Sequence, residues 1–320
     1  MPRDVATVLK NVISIPSNSD IYRAYFQSNE FTVLSDAYAI RWVLNNTKLS
    51  PNQYLFAAQC INKVTDLSIY SYKNKLGGWN IVKNKYIQLP TKNGEIDFVF
   101  MENFIADLQA ERLAELEAYL LATGLKDTTL TTEEENALQA FKSVEWKKFN
   151  VVDIFNVRNT RNILSRDIVE NSGTTPYLCA SAENNAVSSY ISFDDGYLEK
   201  GNCIFIGGKT FVVTYQEKEF YSNDSHNLVL YVKDKAAEKS KKTQLCLVTC
   251  TNKSLGHQYS WGDSISNRKI QTDQVLLPIQ NDQPDYTFME TLISAIQKLV
   301  IKDVVLYADR KITATQSVIA

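Results

Sequence analysis

Asn184-Asn185 places two carboxamides side by side, and a carboxamide can donate and accept together, as the N6/N7 edge of adenine requires. Gly207-Gly208-Lys209 sets a cation directly after two residues without a Cβ. Lys209 could therefore meet a phosphate or a guanine at close approach. Asn223-Asp224-Ser225-His226 gathers polar groups on one short turn, Asn223 and His226 among them. Tyr259, Trp261, Asn267, Arg268 and Lys269 interleave aromatic and basic groups, as a loop tracking a phosphate backbone would. Each group also has a plainer reading. A polar turn is usually just a turn, and Trp261 suits a partly buried position. As a set, they point to nucleic-acid contact.

Chemistry of other kinds finds little support. His226 and His257 are the only histidines, and neither has a neighbour at metal-ligand spacing. No Gly-x-Gly-x-x-Gly stretch and no Gly-Lys-Ser/Thr phosphate loop occurs. The Asn/Asp-Pro-Pro-Tyr segment expected of an amino-methyltransferase is also missing. Asp194-Asp195 before Gly196 reads as a turn. Cys246 and Cys250 stand four apart, as zinc ligands can, but no second pair completes a site, so buried thiols are expected. The reading is of a non-enzyme that needs no metal and no cofactor.

Composition is that of an ordinary globular protein, with 44% hydrophobic and 22% charged residues. The five cysteines are odd in number and scattered, which fits a reducing compartment. No apolar run approaches the length needed to cross a bilayer, and Met1-Pro-Arg-Asp-Val-Ala6 lacks a leader pattern, so a cytoplasmic protein without membrane contact is expected. The net charge of −2 hides an asymmetry. Residues 1–97 hold 11 Lys/Arg against 7 Asp/Glu, while 98–143 hold 3 against 9. Lys63, Lys73, Lys75, Lys83, Lys85 and Lys92 face a single acid, Asp66, over 60–92. Lys73 and Lys75 are the candidate phosphate contacts of that basic arm, and a solvated lysine face is the competing reading.

The elements that must position these groups recur. Pro90, Asn93, Asp97, Phe100, Met101, Glu102 and Ile105 return as Pro278, Asn281, Asp285, Phe288, Met289, Glu290 and Ile293, at a constant interval of 188. Leu55, Cys60, Asn62 and Lys63 return at Leu245, Cys250, Asn252 and Lys253, at an interval of 190, and Gln27, Glu30 and Phe31 at Gln216, Glu219 and Phe220. An interval of this length indicates a duplicated domain rather than a solenoid. Each copy ends in an expected helix. Over 101–122 the stripe is Ile105, Leu108, Leu116, Leu120; over 289–307 it is Leu292, Ile293, Ile296, Leu299, Val300, Val304, Tyr307. Two such helices can bury their stripes on each other, antiparallel, at a length of about 33 Å, close to the roughly 34 Å of one DNA turn. Packing of each helix on its own domain is the alternative. Ile301 and Val305 lie off the stripe and are expected to face a partner.

Between these helices, Gly124 ends the first and Asp127-Thr128-Thr129 begins a linker. Thr131 or Thr132 with the following glutamates predicts a capped short helix. Ile168 to Tyr190 reads as loop-rich, with Gly173 and Pro176, Cys203–Ile206 and Thr210–Tyr215 as strands, Thr243–Lys253 as a helix and Asp273–Pro278 as a last strand.

Gly173-Thr-Thr-Pro-Tyr-Leu178, Ala182-Glu-Asn-Asn-Ala-Val-Ser188, Gly201-Asn-Cys-Ile-Phe-Ile-Gly-Gly208 and Phe220-Tyr-Ser-Asn-Asp-Ser-His-Asn227 resemble the specificity subunit of type I restriction–modification systems. Tyr259-Ser-Trp261, Leu276-Leu-Pro278 and the trailing helix extend the resemblance, and 9–123 repeats the layout with weaker motifs. The resemblance implies an α+β fold with two target recognition domains joined by two long antiparallel helices that act as a ruler. The implied divisions are a partial first domain at 1–97, a spacer helix and linker at 98–143, a second domain at 144–286 and a second helix at 287–320. It also implies double-stranded DNA as ligand, two DNA adenine methyltransferase subunits and a restriction nuclease as partners, and no catalysis by this chain. One departure is evident. The first copy starts at Ile13-Ser-Ile15, the counterpart of Ile204–Ile206, and so lacks what 144–197 supplies in the second. A different class of reading is a scaffold whose repeated domains bind peptide or carbohydrate.

Overall fold

The computed structural model describes residues 7–33, 36–44 and 47–319. Residues 1–6, the stretch without a leader pattern, and residue 320, the end of the expected second helix, lie outside it. The fold is mixed α and β, and the chain divides into two compact units, Met1–Ala122 with Ala308–Ala320, and Thr123–Tyr307.

In the first unit, β1 (Val8–Leu9) pairs with β4 (Phe31–Thr32). The main sheet has the order β3 (Tyr25–Gln27), β2 (Val12–Pro16), β5 (Ala37–Ile40), all antiparallel. Helix α1 (Pro51–Thr65) begins where Ser50 and Gln53 cap each other reciprocally and Pro51 takes the first helical position, where its missing N–H costs nothing. Ile13, Ile15, Tyr54, Ala57, Ala58 and Met101 close the core between this sheet, α1 and the start of the long helix that follows at 98–122. Asn62 fastens α1 to the sheet, its Oδ1 accepting from the Ala24 N–H at 2.6 Å. After α2 (Trp79–Val82) comes the hairpin of β6 (Thr91–Lys92) and β7 (Glu95–Ile96), then α3 (Phe98–Ala122). Asn93 and Gly94 make the turn with φ of 55° and 85°, which their types tolerate.

In the second unit, α4 (Thr132–Ala140) carries the expected capping box, between Thr131 and Glu134. β8 (Trp146–Asn150), α5 (Val151–Ile154) and β9 (Phe155–Asn159) follow. β10 (Thr175–Leu178) and β11 (Val187–Ile191) form a sheet with β14 (Tyr221–Ser222). The 168–190 stretch is therefore not all loop. Pro176 is tolerated because β14 pairs only with Tyr177 and Leu178, leaving no ladder bond for a donor at 176 to make on that side. The central sheet has the order β13 (Val212–Gln216), β12 (Cys203–Gly207), β15 (Leu228–Val232), β9, and it is antiparallel throughout.

After α6 (Lys235–Lys239), Ser240 caps α7 (Lys241–Leu255), whose buried Leu247, Cys250 and Leu255 pack with Ile204, Ile206, Leu228 and Leu230. α8 (Asn267–Ile270) leads to β16 (Gln274–Gln280), which pairs with β8 and with β17 (Gln283–Pro284).

The last helix, α9, runs Tyr286–Ile319, longer at both ends than the stripe over 289–307 predicts. That stripe is also rephased. Met289, Leu292, Ala295, Val305 and Ala308 are buried, whereas Leu299, Val300, Val304 and Tyr307 are exposed. On α3, Ile105 and Leu120 are buried as expected but Leu108 is exposed. Lys298 ties α9 to α4 through Glu134, Nζ to Oε2 2.8 Å. Burial opposes the Glu134 charge, yet hydrogen bonds from Lys298, the Thr131 N–H and Ser294 hold its carboxyl down at about 2. Among the described residues no helix is long and apolar enough to cross a membrane.

Candidate nucleic-acid interface

All four strands of the central sheet end, or begin, at the same rim. There β12 turns into β13 over 207–212, β14 leads into β15 over 223–227, and β9 runs out at Asn159. The loops are laced together. Thr210 Oγ1 donates to the Ala180 carbonyl at 2.8 Å, and the Gly208 N–H donates to Asn227 Oδ1 at 2.9 Å. Thr160 Oγ1 donates to the Asp224 carbonyl at 2.8 Å. Asn159 Nδ2 donates to the Ser225 carbonyl at 2.7 Å, and Asn267 Nδ2 donates to Asn159 Oδ1 at 3.1 Å. Segments far apart in sequence thus form one hydrogen-bonded surface.

Lys209 sits on this rim, 3.2 Å from Asp224 Oδ2, and His226 Nδ1 lies 2.8 Å from Asp224 Oδ1. Partial burial works against the Asp224 charge, but the His226 N–H, the His226 ring and Lys209 together hold its carboxyl below the usual range. Asn223 is held as well, its Oδ1 accepting from Asn227 Nδ2 at 3.1 Å. Arg268 is exposed on α8, and its side chain makes no hydrogen bond or ion pair with the described residues. Neighbouring Lys269 is bound to Asp263 and to the Ser264 carbonyl, and its Nζ lies 5.7 Å from the centroid of the Tyr259 ring. Trp261 is 74% exposed, so it is a surface aromatic and not a core one.

Several expected contacts fall elsewhere. Gly207 and Gly208 are buried, and a Cβ on them would meet Ala180 at 2.7 Å and the His226 carbonyl oxygen at 2.4 Å. They are glycines so that the loops can pack on each other, not so that a ligand can approach. Tyr259 belongs to the core: its ring stacks on Phe211 at 5.3 Å, and its hydroxyl donates to Asp273 at 2.5 Å. Burial first, and that carboxylate second, push its hydroxyl pKa up.

Asn184 and Asn185 adopt left-handed backbone, φ 47° and 52°, which asparagine accepts better than most residues. The Asn185 amide donates to the Tyr215 carbonyl at 3.0 Å. Tyr215 pairs with Ile204, three residues along β12 from Gly207, or roughly 10 Å. The asparagine turn therefore lies down the sheet from Lys209. Lys73 and Lys75 are exposed in the first unit, Lys75 over the Tyr72 ring at 4.8 Å. Val305, expected on a docking face, is 4% exposed, and Ile301 is half-buried.

Sequence reasoning missed an arginine pair. Glu199 is 0% exposed, and Arg158 Nη2 lies 2.6 Å from its Oε2, an ionic contact off the hydrogen-bond direction. Glu199 Oε1 accepts from the Arg161 N–H at 2.6 Å and lies 3.8 Å from Arg161 Nη1. Both guanidiniums are near half exposed, so the buried carboxylate aims two cations from the β9 edge. Nothing local in Tyr197-Leu-Glu-Lys200 marks Glu199 as buried.

A family model, described as the type I restriction modification DNA specificity domain, matches residues 143–306, just over half of the 320. The chain belongs to this specificity-domain family. The match takes in the whole rim, from Asn159 through Lys209 and Asp224 to Arg268. A relative is the specificity subunit S.BcgI of a type II restriction enzyme of Heyndrickxia coagulans, 24% identical over 155 residues. The aligned part is 48% of this chain and 44% of that relative, so the chain spans less than half of its length. Among solved structures, the S subunit of a type I restriction-modification system from M. genitalium shares the fold, with a TM-score of 0.55 at 12% identity over 98% of this chain and 82% of that one.

Proposed function

We propose that this chain is a non-catalytic specificity subunit of a restriction–modification system. It reads a bipartite duplex site, and it positions DNA adenine methyltransferase subunits, two per chain, and through them a nuclease. What supports the reading is the laced rim of the second unit, which carries Lys209 and Asn223 and ties Asn267, the neighbour of Arg268, to Asn159, all inside the family-matched region. Cations and amides on a rigid loop cluster can fix a phosphate backbone and hydrogen-bond base edges. Arg158 and Arg161 add charge from β9.

The two units act as two recognition modules. Three coincidences support this. α1 and α7 each have 15 residues and start from serine caps, Ser50 and Ser240. β6 and β7 pair as Thr91↔Ile96, and β16 and β17 as Ile279↔Pro284, the two hairpins standing at the same interval of 188. The Asp97 N–H donates to the Pro90 carbonyl as the Asp285 N–H does to Pro278, and both aspartates cap the next helix through Oδ1. The long helices α3 and α9 join the modules and carry the methyltransferase docking faces. With Val305 buried, the exposed Leu299, Val300 and Val304 replace it as that face on α9.

Selection of bound duplexes from a random pool tests the reading. A split motif should be enriched, and one half of it should lose definition when Lys209→Ala or Arg268→Ala is used. Enrichment of no motif, or an unchanged motif with both variants, would refute the assignment of the rim. Affinity should also fall linearly on a log–log salt scale, by roughly 0.9 per phosphate contact, which a peptide-binding scaffold would not show.

A further inference from the structure

In the second unit, β8 and β9 are linked by α5 and cover two edges at once. β8 pairs with β16, Phe149 opposite Val275 and Lys147 opposite Leu277. β9 pairs with β15, Val157 opposite Leu230 and Phe155 opposite Val232. Under that cover Val275, Leu277, Leu228 and Leu230 are fully buried. In the first unit the corresponding stretches are 86–89, at the interval of 188, and 38–42, at the interval of 190. Neither has a strand on that side among the described residues. β5 pairs with β2 alone, and residues 86–89 make no backbone hydrogen bond. Ile87, Leu89, Tyr38, Ile40 and Trp42 are only half-buried, and Tyr86 is 93% exposed. The Tyr38 hydroxyl is enclosed and yet has no hydrogen-bond partner. Unpaired strand edges flanked by half-covered apolar side chains are a template for an added strand.

We propose that the first unit takes up, at these two edges, an added strand–turn–strand segment with the chemistry that Trp146–Asn159 has in the second unit. It pairs antiparallel with 86–89 and with β5, as Trp146–Asn159 does with β16 and β15. The inference rests on the correspondence between the units argued above. The chemistry of the occupant follows from the segment that does this in the second unit. It has apolar side chains at the positions of Phe149, Val151, Ile154, Phe155 and Val157, and a one-turn connection short enough to serve both edges. Its uptake gives the first unit a four-stranded sheet like that of the second.

The test uses the full chain and a synthetic peptide of its residues 144–160, read by hydrogen–deuterium exchange. Saturating peptide should slow the amides of 38–42 and 86–89 at least tenfold at one site per chain, and leave β15 and β16 unchanged. A peptide with Phe149→Asp and Phe155→Asp should protect neither stretch. Ile87→Pro in the full chain removes the edge donor that corresponds to Val275, whose N–H faces β8 because that of Leu276 turns away to Ser254, and should weaken binding about tenfold. No protection at millimolar peptide would overturn the proposal, as would protection that both altered molecules retain, or protection confined to the second unit. Because the exchange of 38–42 and 86–89 is read without DNA, failure here leaves the selection experiment on the second unit intact, and the converse holds.

Discussion

Gly208→Ala should open the rim of the central sheet without altering any side chain proposed to contact DNA. The new methyl would lie 2.4 Å from the His226 carbonyl oxygen and 2.9 Å from its carbon, against ordinary C···O contacts of about 3.3–3.6 Å. The obstacle is backbone, so one loop must retreat by about 1 Å to restore an ordinary contact. Gly208 also donates the buried hydrogen bond to Asn227 Oδ1 at 2.9 Å, and a retreat of that size breaks it. Overpacking costs about 1–3 kcal/mol and an orphaned buried amide about 1–3 kcal/mol. The lower entropy of alanine in the unfolded chain returns less than about 1 kcal/mol. The net is about 1–6 kcal/mol, which corresponds to roughly 5- to 20,000-fold more frequent opening. Hydrogen exchange at β12 and β15 amides reads this directly. Gly262→Ala is the control, because a Cβ there meets nothing within 4 Å, and it should exchange like wild type to within about 0.5 kcal/mol. Wild-type exchange in Gly208→Ala would refute the close packing of the two loops.

Other consequences can be checked singly. Lys209→Ala and Arg268→Ala should each weaken duplex binding, by about 1–3 kcal/mol for a base contact, or lower the salt slope by about 1 for a phosphate contact; titrations at several salt concentrations separate the two. Asp224→Asn keeps the acceptor for the His226 N–H but releases Lys209, so non-specific duplex affinity should rise. Trp261→Ala should leave thermal stability unchanged, since the ring is exposed, and weaken DNA binding. Glu134 titrates near 2, below its ordinary 4.5, so its ion pair with Lys298 stabilises fully above the ordinary value and is lost as pH falls from about 4.5 towards 2. Lys298→Met should therefore move the onset of acid unfolding to higher pH, followed by circular dichroism.

What the sequence disclosed and what it concealed divide along physical lines. The apolar run Cys203–Ile206, the helix over 243–253 and the Thr131–Glu134 cap were legible because burial and capping are written in local residue types. β10 was not, because Gly173 and Pro176 advertise a loop while its lopsided pairing tolerates the proline. Asn185 illustrates a deeper ambiguity. The carboxamide that could read adenine is also the side chain that best tolerates a left-handed turn, and here it spends its amide on the Tyr215 carbonyl. Gly207 and Gly208 carry the same double meaning, resolved towards packing by Ala180 and His226. On α9 apolar residues occur all round the helix, so periodicity alone misplaced the buried face and put Val305 on the surface. Glu199 with its two arginines was out of reach, since its partners lie far back in the chain, at the end of β9.

The central claim is that this chain chooses the DNA sequence that partner methyltransferases modify. Sequencing the methylated genome of the host, with the gene intact and with it deleted, measures that choice directly. Adenine methylation should disappear from one split motif and persist at all others, and the Lys209→Ala, Arg268→Ala double variant should fail to restore it. A methylome that is the same with and without the gene would contradict the account.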